Sequence, residues 1–222
     1  MIVKMIILDW KSMKVYQMRL LLLPVFAFAI CWIVSPLLTI PICVFICLAF
    51  SVNPFAVEEK GDLNGMYLTL PIKRNTIVAG RYIFSIIMFM CGVTMGILLL
   101  PLVNLVSNSK WYLNFQWYLA VISVSYALYS LFNIFMFPLL FKFGYLKAKV
   151  IGFYIPMILF SMLFSLYLVI MSFPKNAYLA TNFLIFAGNN MLLVCGCLIA
   201  IATAILILSY ILSVRIYLKR DF

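Results

Sequence analysis

Acidic residues are scarce in this chain, and most of them lie in one polar stretch. The 222 residues include five Asp or Glu, of which Glu58, Glu59 and Asp62 fall between residues 53 and 81 in the run NPFAVEEKGDLNGMYLTLPIKRNTIVAGR. Carboxylates beside apolar side chains can pair with basic groups on another protein while the apolar groups fill its depressions. A simple turn needs neither this length nor these apolar residues. We therefore predict a docking surface, with an ordinary solvated loop as the alternative.

The predicted contact residues of this surface combine aromatic, aliphatic and charged side chains. They are Phe55, Glu58, Glu59, Asp62, Met66, Tyr67, Leu70 and Arg74. A few desolvated anchors dominate the binding energy of most interfaces. We expect Met66 and Tyr67 to be the strongest anchors.

The sequence lacks the residue types and motifs from which a catalytic site is usually built. The chain has no histidine, and no acid lies deep in an apolar run, so a general base, a metal site or a Ser-His-Asp arrangement has no constellation to build on. A phosphate loop of the form G-x-x-x-x-G-K-[ST] is also missing. The six cysteines fall in apolar runs and are interpreted as small buried hydrophobic residues. We expect no enzyme activity, no metal and no directly bound cofactor.

The composition excludes a soluble protein. Apolar residues make up 68% of the chain, aromatic residues 17% and charged residues 9%, and the mean hydropathy is +1.21. Such a chain has too few charges to cover a globular surface, so lipid must surround most of it. We predict an all-α, polytopic membrane protein with a single transmembrane domain over residues 1–222.

Six apolar runs are predicted to cross the membrane as helices. Their bounds are 20–34, 37–52, 82–106, 117–141, 150–173 and 191–214. Ser35 and Pro36 separate the first two runs, which as one helix would measure about 50 Å against a hydrocarbon core of about 30 Å. A tight helical hairpin fits these dimensions better.

Two further segments are expected at the membrane surfaces. Residues 1–17 place Ile2, Ile6, Trp10 and Met13 on one helical face, which is typical of an interfacial helix. A solvated basic leader is the alternative for this segment. Residues 174–190 form the predicted outer loop, in which the apolar run FLIF indicates a second interfacial helix.

The distribution of lysine and arginine predicts the orientation of the chain. With both termini in the cytoplasm, every Lys and Arg except Lys110 and Lys175 falls on the cytoplasmic side of the predicted spans. The net charge of +11 is therefore interpreted as a topology signal rather than as a nucleic-acid surface. Because no ionisable group lies deep in a predicted span, an ion-coupled carrier is disfavoured.

Residues inside the predicted spans also indicate helix contacts. Gly92 and Gly96 form a small-x-x-x-small pair, the pattern of a close contact between membrane helices. Polar residues such as Asn104 and Asn133 can line a path or hydrogen-bond between helices, and interhelical bonding is the commoner use.

Residues 70–82, which read LPIKRNTIVAGRY, carry a family resemblance. This run resembles the permeases of ABC-2-type exporters, in which the stretch commonly reads L-P-[VI]-[ST]-R-x-x-I-V-x-[GA]-[KR]-Y. Lys73 departs from that pattern, because the family often has a Ser or Thr there that can cap the next helix. Asn75 or Thr76 is then expected to be the cap. The order and number of predicted segments resemble the same family over the whole chain.

The resemblance implies a division of labour between subunits. Residues 54–78, the predicted cytoplasmic coupling segment, are expected to dock on a separate ATP-binding subunit that holds ATP and Mg²⁺. Two permease chains, identical or different, are expected to form the path within membrane lipid. Permeases similar to this one, such as the phenol-soluble modulin exporters, imply an amphipathic or antimicrobial peptide, or another hydrophobic cargo, in a bacterial cell membrane. A non-transporting scaffold or assembly protein and a passive channel are the alternatives.

Overall fold

Six helices form the framework of the part of the chain that the structure describes. The structure is a computed structural model that describes residues 2–12, 25, 27–29, 38–61, 74–106, 115–148, 150–152, 154, 158, 161–162, 165, 186 and 188–219. The helices are α1 (Ile2–Ser12), α2 (Thr39–Ser51), α3 (Asn53–Lys60), α4 (Arg74–Val106), α5 (Phe115–Phe143) and α6 (Met191–Leu218). Within these described ranges no strand occurs, and the all-α prediction is confirmed.

Four helical segments of the described part are long and apolar enough to cross a membrane. They are Thr39–Lys60 with 22 residues, α4 with 33, α5 with 29 and α6 with 28. At 1.5 Å per residue even the shortest measures about 33 Å, which matches a hydrocarbon core of about 30 Å. The prediction of a polytopic membrane protein is therefore confirmed. The predicted spans 20–34 and 150–173, and the predicted outer loop 174–190, lie mostly outside the described residues.

Two helix boundaries can be compared with the predicted ones, and the first of them differs. Helix α4 is already formed at Arg74, so Asn75 and Thr76 lie in its first turns and the prediction that one of them caps the helix is wrong. The apolar spacing explains this, because Ile77 and Val78 are buried one turn ahead of the predicted span. At the other boundary the chain passes from α2 through Val52 directly into α3. A proline in the first turn suits a helix start, and Pro54 occupies that place in α3.

Helices α2 and α4 pack against each other as antiparallel neighbours. A Cβ atom placed on Gly92 would lie 2.8 Å from the Cα of Val44, and one placed on Gly96 would lie 2.8 Å from the Cα of Ile40. No real Cβ atom approaches backbone so closely, so only glycine permits this separation. The predicted close helix contact at these two glycines is confirmed.

Helix α6 packs mainly against α5 and also contacts α4, while much of its surface faces outward. Leu192 is 62% exposed, Ile201 59% and Ile207 60%. Apolar side chains on the outside of a helix bundle are the expected contacts of lipid tails or of other membrane helices. The outward face of α6 thus fits a membrane environment.

One end of the bundle gathers the beginning of α4 and the ends of α3, α5 and α6, and we call it the charged end. Arg74 donates from Nη1 to the backbone oxygen of Leu218 over 3.1 Å. The backbone N–H of Leu146, just beyond α5, donates to Oε2 of Glu59 over 2.9 Å. Gly144 makes this second contact possible, because its φ of +77° ends α5 and turns the chain towards α3.

Candidate functional site

Arg81 lies at the centre of a buried group of charges at the charged end. Its Nη1 lies 3.2 Å from Oδ1 of Asp9 in α1, and its Nη2 donates to Oε2 of Glu58 in α3 over 2.9 Å. Arg81 is 2% exposed, Asp9 1% and Glu58 9%. We call these three residues the ion triad. It joins three helices by two ion pairs, with two carboxylates for one guanidinium.

Burial makes the ion triad a high-energy arrangement that depends on all its members. Removing one partner of a buried ion pair leaves an uncompensated charge and costs about 3–5 kcal/mol. Arginine suits the central place because its guanidinium stays charged and can face two acceptors at once. Burial raises the pKa of the Asp9 carboxyl to about 6, against the lowering effect of the Arg81 charge and with a further increase from the Glu58 charge.

Local packing explains why these side chains meet. Gly80 lets α1 approach α4 closely, since a Cβ atom at this position would lie 3.1 Å from the Cβ of Met5. Asp9 follows Met5 by one helical turn, so both face α4 and are buried while Trp10 on the other side is 46% exposed. On the α3 side the guanidinium carbon of Arg81 stands 4.7 Å from the centroid of the Phe55 ring.

The predicted contact residues fall into three groups. Phe55 and Glu58 point into the chain: the Phe55 ring is buried with its centroid 5.1 Å from that of Phe141 in α5, and Glu58 binds Arg81. Both side chains therefore have contacts within the chain, and their contact with a partner stays a prediction. Glu59 and Arg74 bind backbone groups at the charged end. Asp62, Met66, Tyr67 and Leu70 lie outside the described residues.

Asp9 and Arg81 are the functional candidates that sequence reasoning missed. Arg81 was interpreted as a flanking charge that orients the third span, and Asp9 as part of a surface helix. A signal was present, because each charge stands at i+4 from a buried apolar residue, Met5 in one case and Ile77 in the other. A charge in line with an apolar face predicts a buried ion pair.

A second buried group, the polar core network, begins at Tyr82, the residue that follows Arg81 of the ion triad. It consists of Tyr82 and Ser85 of α4, Tyr129 and Asn133 of α5, and Ser209 and Ser213 of α6. The Tyr82 hydroxyl lies 2.7 Å from Oγ of Ser209 and 2.8 Å from Oγ of Ser213, and Ser209 donates to the backbone oxygen of Asn133. Ser85 lies 2.8 Å from the Tyr129 hydroxyl. Ser85 also donates to Oδ1 of Asn133 over 3.4 Å, so the predicted interhelical bonding of the Asn133 side chain is confirmed between α4 and α5.

Metal and thiol chemistry find no support in the described ranges. No group of three His, Cys, Asp or Glu residues there can hold a metal ion. The five cysteines of the described part are free thiols, three of them buried within helices. The ion triad and the polar core network join neighbouring helices by ion pairing and hydrogen bonding.

The described residues show a multispan helical membrane protein with buried ion pairs at one end of its bundle. The chain belongs to the ABC-2 transporter family: a family model described as ABC-2 family transporter protein matches residues 1–218. Comparison with curated proteins and with solved structures gives no match. The family match confirms the resemblance carried by residues 70–82. The chain is thus a membrane-embedded permease subunit of an ABC transporter, a class that works with an ATP-binding partner.

Proposed function

We propose that this chain is the permease subunit of an ATP-driven exporter in a bacterial cell membrane, with both termini in the cytoplasm. The cargo is an amphipathic or antimicrobial peptide or another hydrophobic molecule. A separate subunit binds ATP and Mg²⁺ and hydrolyses ATP, so this chain is not an enzyme. Family membership supports the transporter class, and the lack of a phosphate-loop motif in the sequence supports hydrolysis on another chain.

The ion triad is the observation that carries the proposal, because it supports a mechanism by which the coupling segment moves the membrane helices. Helix α3 contains the first residues of the predicted coupling segment, 54–78, and its inward side chains Phe55 and Glu58 hold it against α5 and α4. Moving α3 without α4 would separate Glu58 from Arg81 and leave charges buried without their partners, at a cost of about 3–5 kcal/mol. A movement of the coupling segment is therefore passed to α4 rather than absorbed locally.

The polar core network extends this path into the membrane. Tyr82 follows Arg81 on α4 and bonds to Ser209 and Ser213 on α6, and Ser209 in turn bonds to α5. Because all these groups are buried, each broken hydrogen bond would leave a polar group unsatisfied in an apolar region. Helices α4, α5 and α6 therefore respond together when α4 moves.

The outward side of the charged end is available to the ATP-binding partner. Lys60, at the end of α3, is exposed, and Val57 and Glu59 are partly exposed. The predicted anchors Met66 and Tyr67 follow shortly after in the chain. The exposed apolar face of α6 supports a second permease chain or lipid as its neighbour.

Co-expression with the cognate ATP-binding subunit tests the proposal. The pair should purify as a complex that hydrolyses ATP, whereas this chain alone should not hydrolyse it. Inside-out vesicles that contain the complex should take up a fluorescent amphipathic peptide when ATP is added. The matched control is the same complex with a hydrolysis-deficient ATP-binding subunit, which should assemble without uptake. Hydrolysis by the lone chain, or assembly without ATP-dependent movement of any hydrophobic cargo, would contradict the proposal.

A further inference from the structure

A cavity of about 90 Å³ lies at the charged end, next to the ion triad. Its walls include Phe55, Glu58, Glu59, Phe141, Phe143 and Tyr217. They come from the ends of α3, α5 and α6, and we call this cavity the aromatic-acidic pocket. It is a small, half-open pocket with room for several water molecules, so a single ammonium or guanidinium group fits it.

The walls of the pocket have the chemistry that selects a cation. Two carboxylates line it, and aromatic ring faces attract positive charge. Arg81 demonstrates the second effect on a wall residue, because its guanidinium carbon lies 4.7 Å from the Phe55 ring centroid. Within the described residues, the resolved ion pairs place no cation on Glu59, whose Oε2 accepts the Leu146 N–H. Of the two carboxylates Glu58 is paired with Arg81, so the charge that can attract a cation of a partner is that of Glu59.

We propose that the aromatic-acidic pocket receives one lysine or arginine side chain of the ATP-binding subunit. This inference rests on the proposed function, since it names the group by which that partner is held. Position favours the partner over a lipid headgroup, because the pocket lies where α3, α5 and α6 end rather than on the flank of the bundle. Glu59 also immediately precedes the part of the coupling segment that contains the predicted anchors.

Lys142 of this chain lies close to the pocket and makes binding of a partner's cation more dependent on Glu59. Lys142 is exposed, and its Nζ lies 5.0 Å from the centroid of the Phe143 ring. Its positive charge disfavours an entering cation unless Glu59 compensates for it. Glu59 is therefore the residue on which recognition depends, and replacing it should weaken binding more than any change of neighbouring surface charge.

Binding of the cognate ATP-binding subunit to the full chain in lipid nanodiscs tests the pocket. Glu59→Gln keeps an acceptor for the Leu146 N–H but removes the charge, and should weaken binding about tenfold or more. Lys11→Gln is the matched control, since it changes an exposed charge on α1, which contributes no residue to the pocket, and should change affinity less than about threefold. Equal affinity of the Glu59→Gln and parental chains, with a complex that still forms, would overturn the pocket and leave the proposed function standing.

Charge reversal identifies the occupant. Glu59→Lys should abolish binding, and one Lys→Glu or Arg→Glu change on the subunit should restore it to within about tenfold of the parental affinity. Photo-crosslinking from p-benzoylphenylalanine at position 143 should capture a subunit peptide containing that same basic residue. Capture of lipid alone or of this chain alone, or failure of every single reversal to restore binding, would refute the assignment. If the parental chain bound no ATP-binding subunit, the pocket and the proposed function would both fall.

Discussion

Replacing Arg81 with methionine should destabilise the protein more than any other single change at the charged end. Arg81→Met keeps a long side chain but leaves Asp9 and Glu58 buried without a counter-charge, at exposures of 1% and 9%. The structural cost is that of breaking a buried ion pair from one side, about 3–5 kcal/mol. For a chain of this length that loss lowers the unfolding temperature by roughly 6–20 °C.

A matched set of variants separates charge from shape. Arg74→Met removes an arginine that donates to the backbone oxygen of Leu218 at the same end, and loss of that hydrogen bond should lower the free energy of unfolding by about 1 kcal/mol. The triple variant Asp9→Leu, Glu58→Met, Arg81→Met replaces the whole ion triad by apolar groups, and should recover most of the stability lost in Arg81→Met. Thermal unfolding of detergent-purified protein, followed by tryptophan fluorescence, measures all three.

Two results would refute this reasoning. An Arg81→Met protein that unfolds at the parental temperature would show that the carboxylates reach solvent or another cation. A triple variant as unstable as Arg81→Met would show that the shape of the guanidinium matters and its charge does not.

The same variants also test the coupling of α3 to α4. At a temperature where Arg81→Met is folded, ATP-dependent uptake should fall more than assembly with the ATP-binding subunit, because α3 is then less firmly held to α4.

Three further predictions follow from single features of the structure. The pKa of Asp9, raised to about 6 from 3.8, means that the folded state holds this proton more tightly than the unfolded state. Relative to Asp9→Asn, the parental protein should therefore lose roughly 2 kcal/mol of stability as pH rises from about 4 to about 6, measured by thermal unfolding, and parallel pH curves would contradict this. Gly92→Leu should prevent α2 from packing on α4 and abolish the folded monodisperse protein in size-exclusion chromatography, whereas Gly196→Ala, with open space around it, should be tolerated. In a cysteine-free background, a cysteine at Lys175 should react with an impermeant reagent from outside and one at Lys60 should not; outside labelling at position 60 would overturn the predicted hairpin.

Features that depend on residues close together in the sequence could be predicted from sequence patterns. The helical class follows from composition, because only helices or closed barrels satisfy backbone groups in lipid and the apolar runs are long. The close contact of α2 and α4 at Gly92 and Gly96 follows from the spacing of two small residues. The run at residues 70–82 predicted the family, which its match over residues 1–218 confirms.

The ion triad could not be predicted in the same way, because its members are far apart in the chain. Asp9, Glu58 and Arg81 meet only when α1, α3 and α4 are packed, and no local period connects them. Arg81 was also assigned to the membrane surface by the rule that flanking charges orient spans. That rule concerns the charge of a whole segment. Whether one arginine is buried depends on whether the facing helix carries a carboxylate that can pair with it.

The structure gives a physical reason for the pattern that carried the family resemblance. Val78 lies in the hydrophobic core at the charged end, Gly80 leaves room for Met5 of α1, Arg81 holds α1 and α3 by ion pairs, and Tyr82 bonds to α6. These positions occupy little more than one turn of α4, so that single turn contacts α1, α3 and α6 and packs on α5. A larger residue in place of the glycine, or a neutral one in place of the arginine, would loosen several helices at once. The run is thus the junction of the bundle, and in the proposed function contact with the ATP-binding partner falls to the residues that precede it in the chain and to the pocket beside it.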